Sequence, residues 1–248
     1  MKLLAIETAT EACSVALWID GEVHERFGLA PRQHAELALP WAEQLLADAG
    51  VAKSQLDAIA VGRGPGAFTG VRLAVALAQG IALALDRPVV PVSTLAALAM
   101  CPHPNPPPQA GEGGERATRA GGGERILAAI DARMGEIYVA ALYRDGDALV
   151  ATSDEIVIAP AEYILPAGEG WIGVGTGFAA ADRALQSRFS ERFARIDATA
   201  LPHAADVARL GAIAFANGGG LAPERVEPAY LRNNVALTLA EQKRSQGR

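Results

Sequence analysis

The chain is poor in the residue types from which most active sites are assembled. Its 248 residues include two cysteines, Cys13 and Cys101, four histidines, and aromatic residues at only 5%. The cysteines lie far apart and match no metal-binding or redox spacing, and the apolar strand around Cys13 marks it as a small core residue. His24, His34, His103 and His203 form no HExxH or HxxxH pair, which counts against a zinc hydrolase. There is no G-x-S-x-G elbow to present a serine nucleophile. Basic residues number 22 against 28 acidic, for a net charge of −6. Such a chain is a poor binder of nucleic acid unaided, because phosphate contacts need a basic face. The Lys243–Arg248 run reads as a solvated terminus. No signal peptide or membrane span is read, so a cytoplasmic location without membrane contact is expected.

Half of the residues are hydrophobic, and the most organised stretch is Ala58–Leu85, AIAVGRGPGAFTGVRLAVALAQGIALAL. It reads as a buried strand, a tight turn carrying Gly62, Gly64, Pro65, Gly66 and Gly70, and a long helix. A phosphate-cradling P-loop needs GxxxxGK[ST], and no Lys-Ser/Thr pair follows these glycines. A dinucleotide fingerprint needs GxGxxG, but after Gly64 and Gly66 the next glycine is Gly70. Spacing therefore favours a structural turn that brings the helix close against its sheet. On the helix, Ala74, Ala78 and Ala82 form one row and Ala76, Gly80 and Ala84 another, with bulk from Leu73, Leu77, Ile81 and Leu85. Rows of small residues admit a second helix closely. The helix is either packed inside its own domain or shared with another chain.

The remaining elements follow in order. Leu3–Ile6 and Cys13–Ile19 read as strands, and Asp20-Gly21 as a hairpin turn into a third strand, Glu22–Phe27. A helix is predicted over Gln33–Ala49, with Leu37, Trp41 and Leu45 on one face and a kink or restart at Pro40. Val89–Val92 is another buried strand. Pro102–Glu124 holds five prolines and six glycines in 23 positions and reads as a disordered insertion. Beyond it, ILAAIDARMGEIYVAALYRDG lies over LLAIETATEACSVALWIDG, with Ile130-Asp131 on Ile6-Glu7. This suggests two related domains facing each other. A second glycine turn, Trp171–Gly177, precedes a helix over Phe178–Arg188, and Asp206–Asn217 is the final helix. The expected organisation is a first lobe over 1–100, an insertion over 101–124 and a smaller lobe over 125–203, with 204–248 packed back on the first. Glu7 and Asp131, ending paired strands, would either hold Mg²⁺ across a cleft or merely terminate their strands in polar turns.

Five blocks in order, IETATEACSVAL, VGRGPGAFTGVRLAVALAQGIA, PVSTLAALA, IDARMGEIYVAAL and PAYLR, closely resemble the TsaB (YeaZ) family over nearly the whole chain except the insertion. The resemblance implies an α/β, two-lobed fold of the actin, sugar-kinase and Hsp70 (ASKHA) type, built of duplicated βββαβα domains. It implies a non-catalytic subunit of the machinery that makes N6-threonylcarbamoyladenosine in tRNA. Such a subunit pairs with the catalytic TsaD, works with the ATPase TsaE, dimerises when alone, and meets tRNA mainly through the complex. The surface expected to dock TsaD or a second copy is the helix carrying Thr69, Arg72, Leu73, Ala74, Ala76, Leu77, Ala78, Gly80 and Ile81. No catalytic residue, metal or cofactor of its own is implied, with ATP and Mg²⁺ belonging to the assembled complex. Nucleotide-binding members of the fold carry Asp-x-Gly-x-Thr after the first strand, whereas here Glu7-Thr8-Ala9-Thr10 puts an alanine in the phosphate's way. A vestigial nucleotide cleft at Glu7, Thr8, Thr10, Asp131 and Gly175 is the expectation. A kinase-like enzyme, a peptidase and a self-contained homodimer stand as alternatives.

Overall fold

Apolar residues fill every position of Leu3–Ile6 and Ala58–Val61, so these segments have no face to offer water, and each becomes a strand covered on both sides. The computed structural model describes residues 1–100, 123–146 and 148–232. Its first sheet contains β1 (Lys2–Glu7), β2 (Ala12–Ile19), β3 (Glu22–Leu29), β4 (Ala58–Gly62) and β5 (Val89–Val92). The order is β3-β2-β1-β4-β5, antiparallel from β3 to β1 and parallel from β1 to β5. The second sheet contains β6 (Glu124–Arg133), β7 (Glu136–Asp145), β8 (Ala148–Ala151), β9 (Ile156–Ile158), β10 (Trp171–Val174) and β11 (Phe193–Asp197). Its order is β11-β10-β6-β7-β8, with β9 also on β7. Taken from its other edge, it has the first sheet's order and senses. This is the two-lobed actin-like architecture. The expected insertion falls outside the described residues, apart from Gly123 and Glu124, and Glu124 already opens β6.

The helices among the described residues are α1 (His34–Asp48), α2 (Phe68–Leu85), α3 (Thr94–Ala99), α4 (Ala180–Arg188) and α5 (Ala204–Ala216). Strand alternation sends Leu4 and Ile6 towards α1 and α2, and Leu3 and Ala5 towards α5. In the second lobe Ile126, Ala128 and Ile130 meet α3, while Leu127 and Ala129 share a core with Phe178 and Leu185. The helix α1 runs through Pro40 without the expected restart. Pro40 is on the exposed side, so the Glu36 carbonyl that it cannot bond is left to water. The expected helix over Phe178–Arg188 is instead a 3-10 turn, Thr176–Phe178, followed by α4, whose residues Ala181–Arg183 are left-handed.

The second lobe departs from a strict βββαβα repeat. Between β8 and β10, where the first lobe places α1, the chain has β9 and an irregular segment broken by Pro160, Pro166, Gly168 and Gly170. Tyr163 and Leu165 fill the core there. Arg188 donates to the Tyr163 carbonyl at 2.9 Å, and Arg192 to those of Leu165 and Gly168 at 3.2 and 3.0 Å. Side chains thus satisfy carbonyls that a helix would have bonded internally.

The glycine turn after β4 packs directly on the turn between β1 and β2. A Cβ on Gly62 would run into the Glu7 carboxyl, on Gly66 into the Ala9 carbonyl, and on Gly70 into the Thr8 carbonyl. The contact is tied by hydrogen bonds from the Thr8 hydroxyl to the Gly70 carbonyl (2.7 Å) and from the Ala67 amide to the Ala9 carbonyl (2.7 Å). Glu7 is 1% exposed. Its Oε1 accepts from the Ala9 amide at 2.6 Å and its Oε2 from the Thr94 hydroxyl at 2.9 Å. Burial pushes the carboxyl up to about 7, against the pull of these hydrogen bonds.

Two predictions follow from this packing. Gly70→Ala has no room against the Thr8 backbone and should lower unfolding free energy by about 2 kcal/mol, read from urea titrations. For Glu7, the unfolded chain releases the proton near 4.5 and the folded protein near 7. The folded state therefore holds more protons between these values, and stability falls as pH rises through the window, by about 3 kcal/mol in all. Glu7→Gln removes the charge: its amide oxygen accepts from the Ala9 amide, and its amide nitrogen donates to the Thr94 hydroxyl, reversing that bond. The difference in melting temperature between wild type and variant should change across pH 5–8, and a constant difference would refute the assignment.

Candidate functional site

The lobes meet around a cavity of about 550 Å³. The first lobe contributes Ala9, Thr10 and Glu11 of the β1–β2 turn, Arg32 ahead of α1, His34 at its first position, and Phe68 at the start of α2. Asp131, Arg133, Tyr138 and Thr176 come from the second lobe, and Arg232 from the C-terminal segment. The lobes are also tied by Glu155, which accepts from Ser93 and pairs with Arg63 at 3.6 Å. Arg232 returns the chain to the second lobe through the Ala132 carbonyl (3.2 Å) and Glu136.

Of the five residues expected in a nucleotide cleft, the structure brings Thr10 and Asp131 to this cavity. Glu7 and Thr8 lie beneath the turn, sealed by the glycine loop. Gly175 (φ +107) is pressed against the Ala129 carbonyl and Leu98, and its neighbour Thr176 lines the cavity instead. The pairing of Glu7 with Asp131 on Mg²⁺ is corrected accordingly. Both Glu7 oxygens are spent on Ala9 and Thr94, while Asp131 accepts from the Arg133 amide (2.8 Å) and pairs with its guanidinium (3.1 Å). Among the described residues no group of three or more His, Cys, Asp or Glu is placed to hold a metal ion. The Ala9 amide, which a phosphate would use, donates to Glu7.

Sequence reading missed most of this lining. Arg133 sits in the repeated IDARMG segment, at the turn matching the first lobe's, which was the signal available. Phe68 and Arg232 lie inside the blocks VGRGPGAFTGVRLAVALAQGIA and PAYLR, where no role in a cavity was read for them, and Arg32 and His34 lie outside every block.

A second cluster holds the three residue types of a hydrolase triad in an order that cannot activate a nucleophile. Ser14, fully buried, donates to Glu25 Oε1 at 2.7 Å, and His203 Nδ1 meets Glu25 Oε2 at 2.9 Å, so the carboxylate stands between serine and imidazole. The cluster instead caps α5: the Ala204 amide donates to Ser14 Oγ (2.8 Å) and the Ala205 amide to Glu25 Oε1 (3.0 Å). This is why α5 starts at Ala204, two residues before its periodicity indicates. Burial pushes the Glu25 carboxyl up, but the bonds from His203, Ser14 and Ala205 outweigh it and hold the group below its ordinary value.

The helix α2 has two unlike sides. Ala74, Ala78 and Ala82 are buried on the first sheet, so this row faces inward, and Ala74 and Ala78 are removed from the docking surface. Thr69, Arg72, Ala76 and Gly80 are exposed, with Leu73, Leu77 and Ile81 half-buried. Phe68 and Leu83 are 59% and 63% exposed. Arg72 is fixed by its place 3.2 Å over the Phe68 ring and by donation to the Tyr230 hydroxyl at 2.8 Å. At 18 residues and a mean hydropathy of 1.7, α2 is long and apolar enough to cross a bilayer, but its inner side is built into the first core.

Residues 19–239 match the model of the TsaD family, tRNA N6-adenosine threonylcarbamoyltransferase. The tRNA threonylcarbamoyladenosine biosynthesis protein TsaB of Escherichia coli K12 is 41% identical over 241 residues, covering 95% of this chain and 96% of that one. The TsaB of Haemophilus influenzae is 36% identical over 248 residues, covering 95% of each. A crystal structure from Pseudomonas aeruginosa, described as an uncharacterized protein with similarity to peptidase YeaZ, superposes with a TM-score of 0.78 at 43% identity. That match covers 93% of this chain and 99% of the other. Sequence match across almost the full length and agreement of the two-lobed fold lead to one conclusion: the chain belongs to the TsaB (YeaZ) family.

Proposed function

We propose that this chain is a non-catalytic subunit of the machinery forming N6-threonylcarbamoyladenosine at position 37 of tRNAs that read ANN codons. In this reading it works in the cytoplasm by pairing with and activating a transferase of the TsaD family. The observation that carries the reading is the closed first turn. The loop that would cradle phosphates is filled by its own lobe, and its acid is buried under Gly62. What remains for work is surface. TsaD docks on the outward side of α2, around Ala76 and Gly80, with Thr69, Arg72, Leu73, Leu77 and Ile81 about them. A second copy takes that place when TsaD is absent. TsaE joins the pair, ATP and Mg²⁺ act in the assembled complex, and tRNA is met mainly through it. Gly80 supports the docking site. A mid-helix glycine costs about 1 kcal/mol relative to alanine, yet a Cβ there would meet nothing within 4 Å. Packing among the described residues gives no reason for it, whereas close approach of a partner helix does.

Purified TsaD and TsaE with ATP, Mg²⁺, threonylcarbamoyl adenylate and tRNA should give modified tRNA only when this chain is added, and Glu7→Gln should support the reaction as wild type does. Loss of modification by Glu7→Gln with TsaD binding intact would give the chain a chemical role and end the scaffold reading. For the docking surface, Ala76→Leu with Gly80→Leu should weaken TsaD binding about 10- to 100-fold, the equivalent of about 1–3 kcal/mol of overpacking, with an unchanged circular dichroism spectrum. The inward pair, Ala74→Leu with Ala78→Leu, should instead unfold the first lobe. Unchanged affinity in the outward pair would place the interface elsewhere.

A further inference from the structure

The first sheet has one open edge, along β3. We propose that residues 235–242 of this chain close it, adding a sixth strand antiparallel to β3. The inference is independent of TsaD docking, which uses α2.

Hydrogen bonding is the first argument. β3 is the outermost of five strands, and among the described residues nothing pairs with its outer side. Ile19 and Glu22 face each other across the two-residue turn Asp20-Gly21, so they form a hydrogen-bonded pair, and bonding alternates from there. Glu22, His24, Arg26 and Gly28 therefore turn their amides and carbonyls to β2, while Val23, Glu25, Phe27 and Leu29 turn theirs outward. An edge of this length is a ready surface for a further strand. The opposite edge is already met in this way. Leu221, from the segment after α5, exchanges both backbone hydrogen bonds with Val89 of β5, at 2.9 and 2.8 Å.

The side chains along β3 are incompletely covered on both faces. On the α5 side, Phe27 stacks on His203 with centroids 4.1 Å apart yet is 39% exposed, and Leu29 is 69% exposed. On the α1 side, Gly28 lies under Trp41, and a hollow of about 520 Å³ follows, lined by residues 23–26 with Leu45 and Asp48 of α1. An added strand would cover the apolar pair on one face and enter the hollow on the other.

The chain's own continuation fits this place. Arg232, the last described residue, lines the same cavity as Pro31 and Arg32, which follow β3 directly. Val235 is three peptide steps beyond Arg232 and Leu237 five, reaches of about 10 and about 17 Å. Val235, Leu237 and Leu239 alternate with Ala236, Thr238 and Ala240, the period of a strand. The large row suits Phe27 and Leu29, and the small row suits the hollow beside α1. With the large row opposite Phe27 and Leu29, the amides of Val235, Leu237 and Leu239 point at β3, where outward carbonyls await them. Lys243 and Arg244 then arrive near Asp20 and Glu22 at the hairpin, so charge agrees with the direction of the strand. Attachment at Arg232 keeps this segment at high local concentration, an advantage that no strand from another molecule has.

The test is amide hydrogen exchange of the full chain, followed residue by residue by NMR at two protein concentrations. The amides of Val23, Glu25, Phe27 and Leu29 should exchange about tenfold or more slowly in wild type than in Leu237→Pro, which removes a donor aimed at β3. Leu237→Asp with Leu239→Asp should lose the same protection by setting carboxylates over Phe27 and Leu29. The amide of Ile59, which donates to the Pro88 carbonyl inside the sheet, should be unaffected in both. Equal exchange at the four β3 amides in wild type and either variant would overturn the proposal. Protection that grows with protein concentration would also overturn it, by giving the edge to a second copy.

Discussion

Everything in the first lobe depends on how closely the backbone after β4 can approach the backbone after β1. The approach is permitted by Gly62, Gly66 and Gly70, and it closes over a carboxyl group with almost no exposure. Burying Glu7 is unfavourable for its charged form, which is why its proton is held to about 7. The compensation is structural. Glu7 fixes the Ala9 amide and the Thr94 hydroxyl, and Thr94 in turn accepts from the Gly64 amide at 3.2 Å. One side chain thereby joins β1, the glycine loop and α3. The loop also sets the start of α2, so both the cleft wall and the outward side of α2 inherit their position from this contact.

The two sheets share an order, yet their first turns have parted. In the first lobe the turn is drawn inward and its polar groups are used within the protein. In the second, Asp131 and Arg133 turn outward to the cavity, the guanidinium largely in solvent. Two similar halves thus give a cleft with one closed and one open wall. That asymmetry leaves the first turn no open amide for a phosphate, while cationic side chains stand at the rim of the cavity.

On α2 a single composition serves two environments. Its inner alanines allow the helix to sit close on β4, where each added methylene would meet a packed sheet. On its outer side Ala76 and Gly80 are exposed, and a Cβ added at Gly80 would meet nothing within 4 Å among the described residues. The helix is anchored at its start by Arg72 against Phe68 and Tyr230, and along its length by Gln79, which donates to the Pro223 and Val226 carbonyls at 2.9 and 3.1 Å. The C-terminal segment therefore runs beside α2, buries Val226 in the first core, and at Arg232 bridges to the second lobe.

Local pattern was enough for much of this protein. Unbroken apolar runs marked β1 and β4 as covered on both faces, Asp20-Gly21 marked the hairpin, and the repeated strand–turn–strand segment indicated a second lobe, because each is a consequence of neighbours in the chain. The departures needed partners distant in sequence. Which row of α2 faces inward depended on where the sheet lay, since both rows carry equally small residues. The start of α5 depended on Ser14 and Glu25, far upstream, and the missing helix of the second lobe on Arg188 and Arg192 satisfying an irregular segment. Glu7 and Asp131 look alike in sequence as acids ending matched strands. Only the packing around them decided that one would be sealed, its proton held to about 7, and the other paired with arginine at a cavity, because the fate of a carboxylate is set by the groups that surround it and not by the strand it ends.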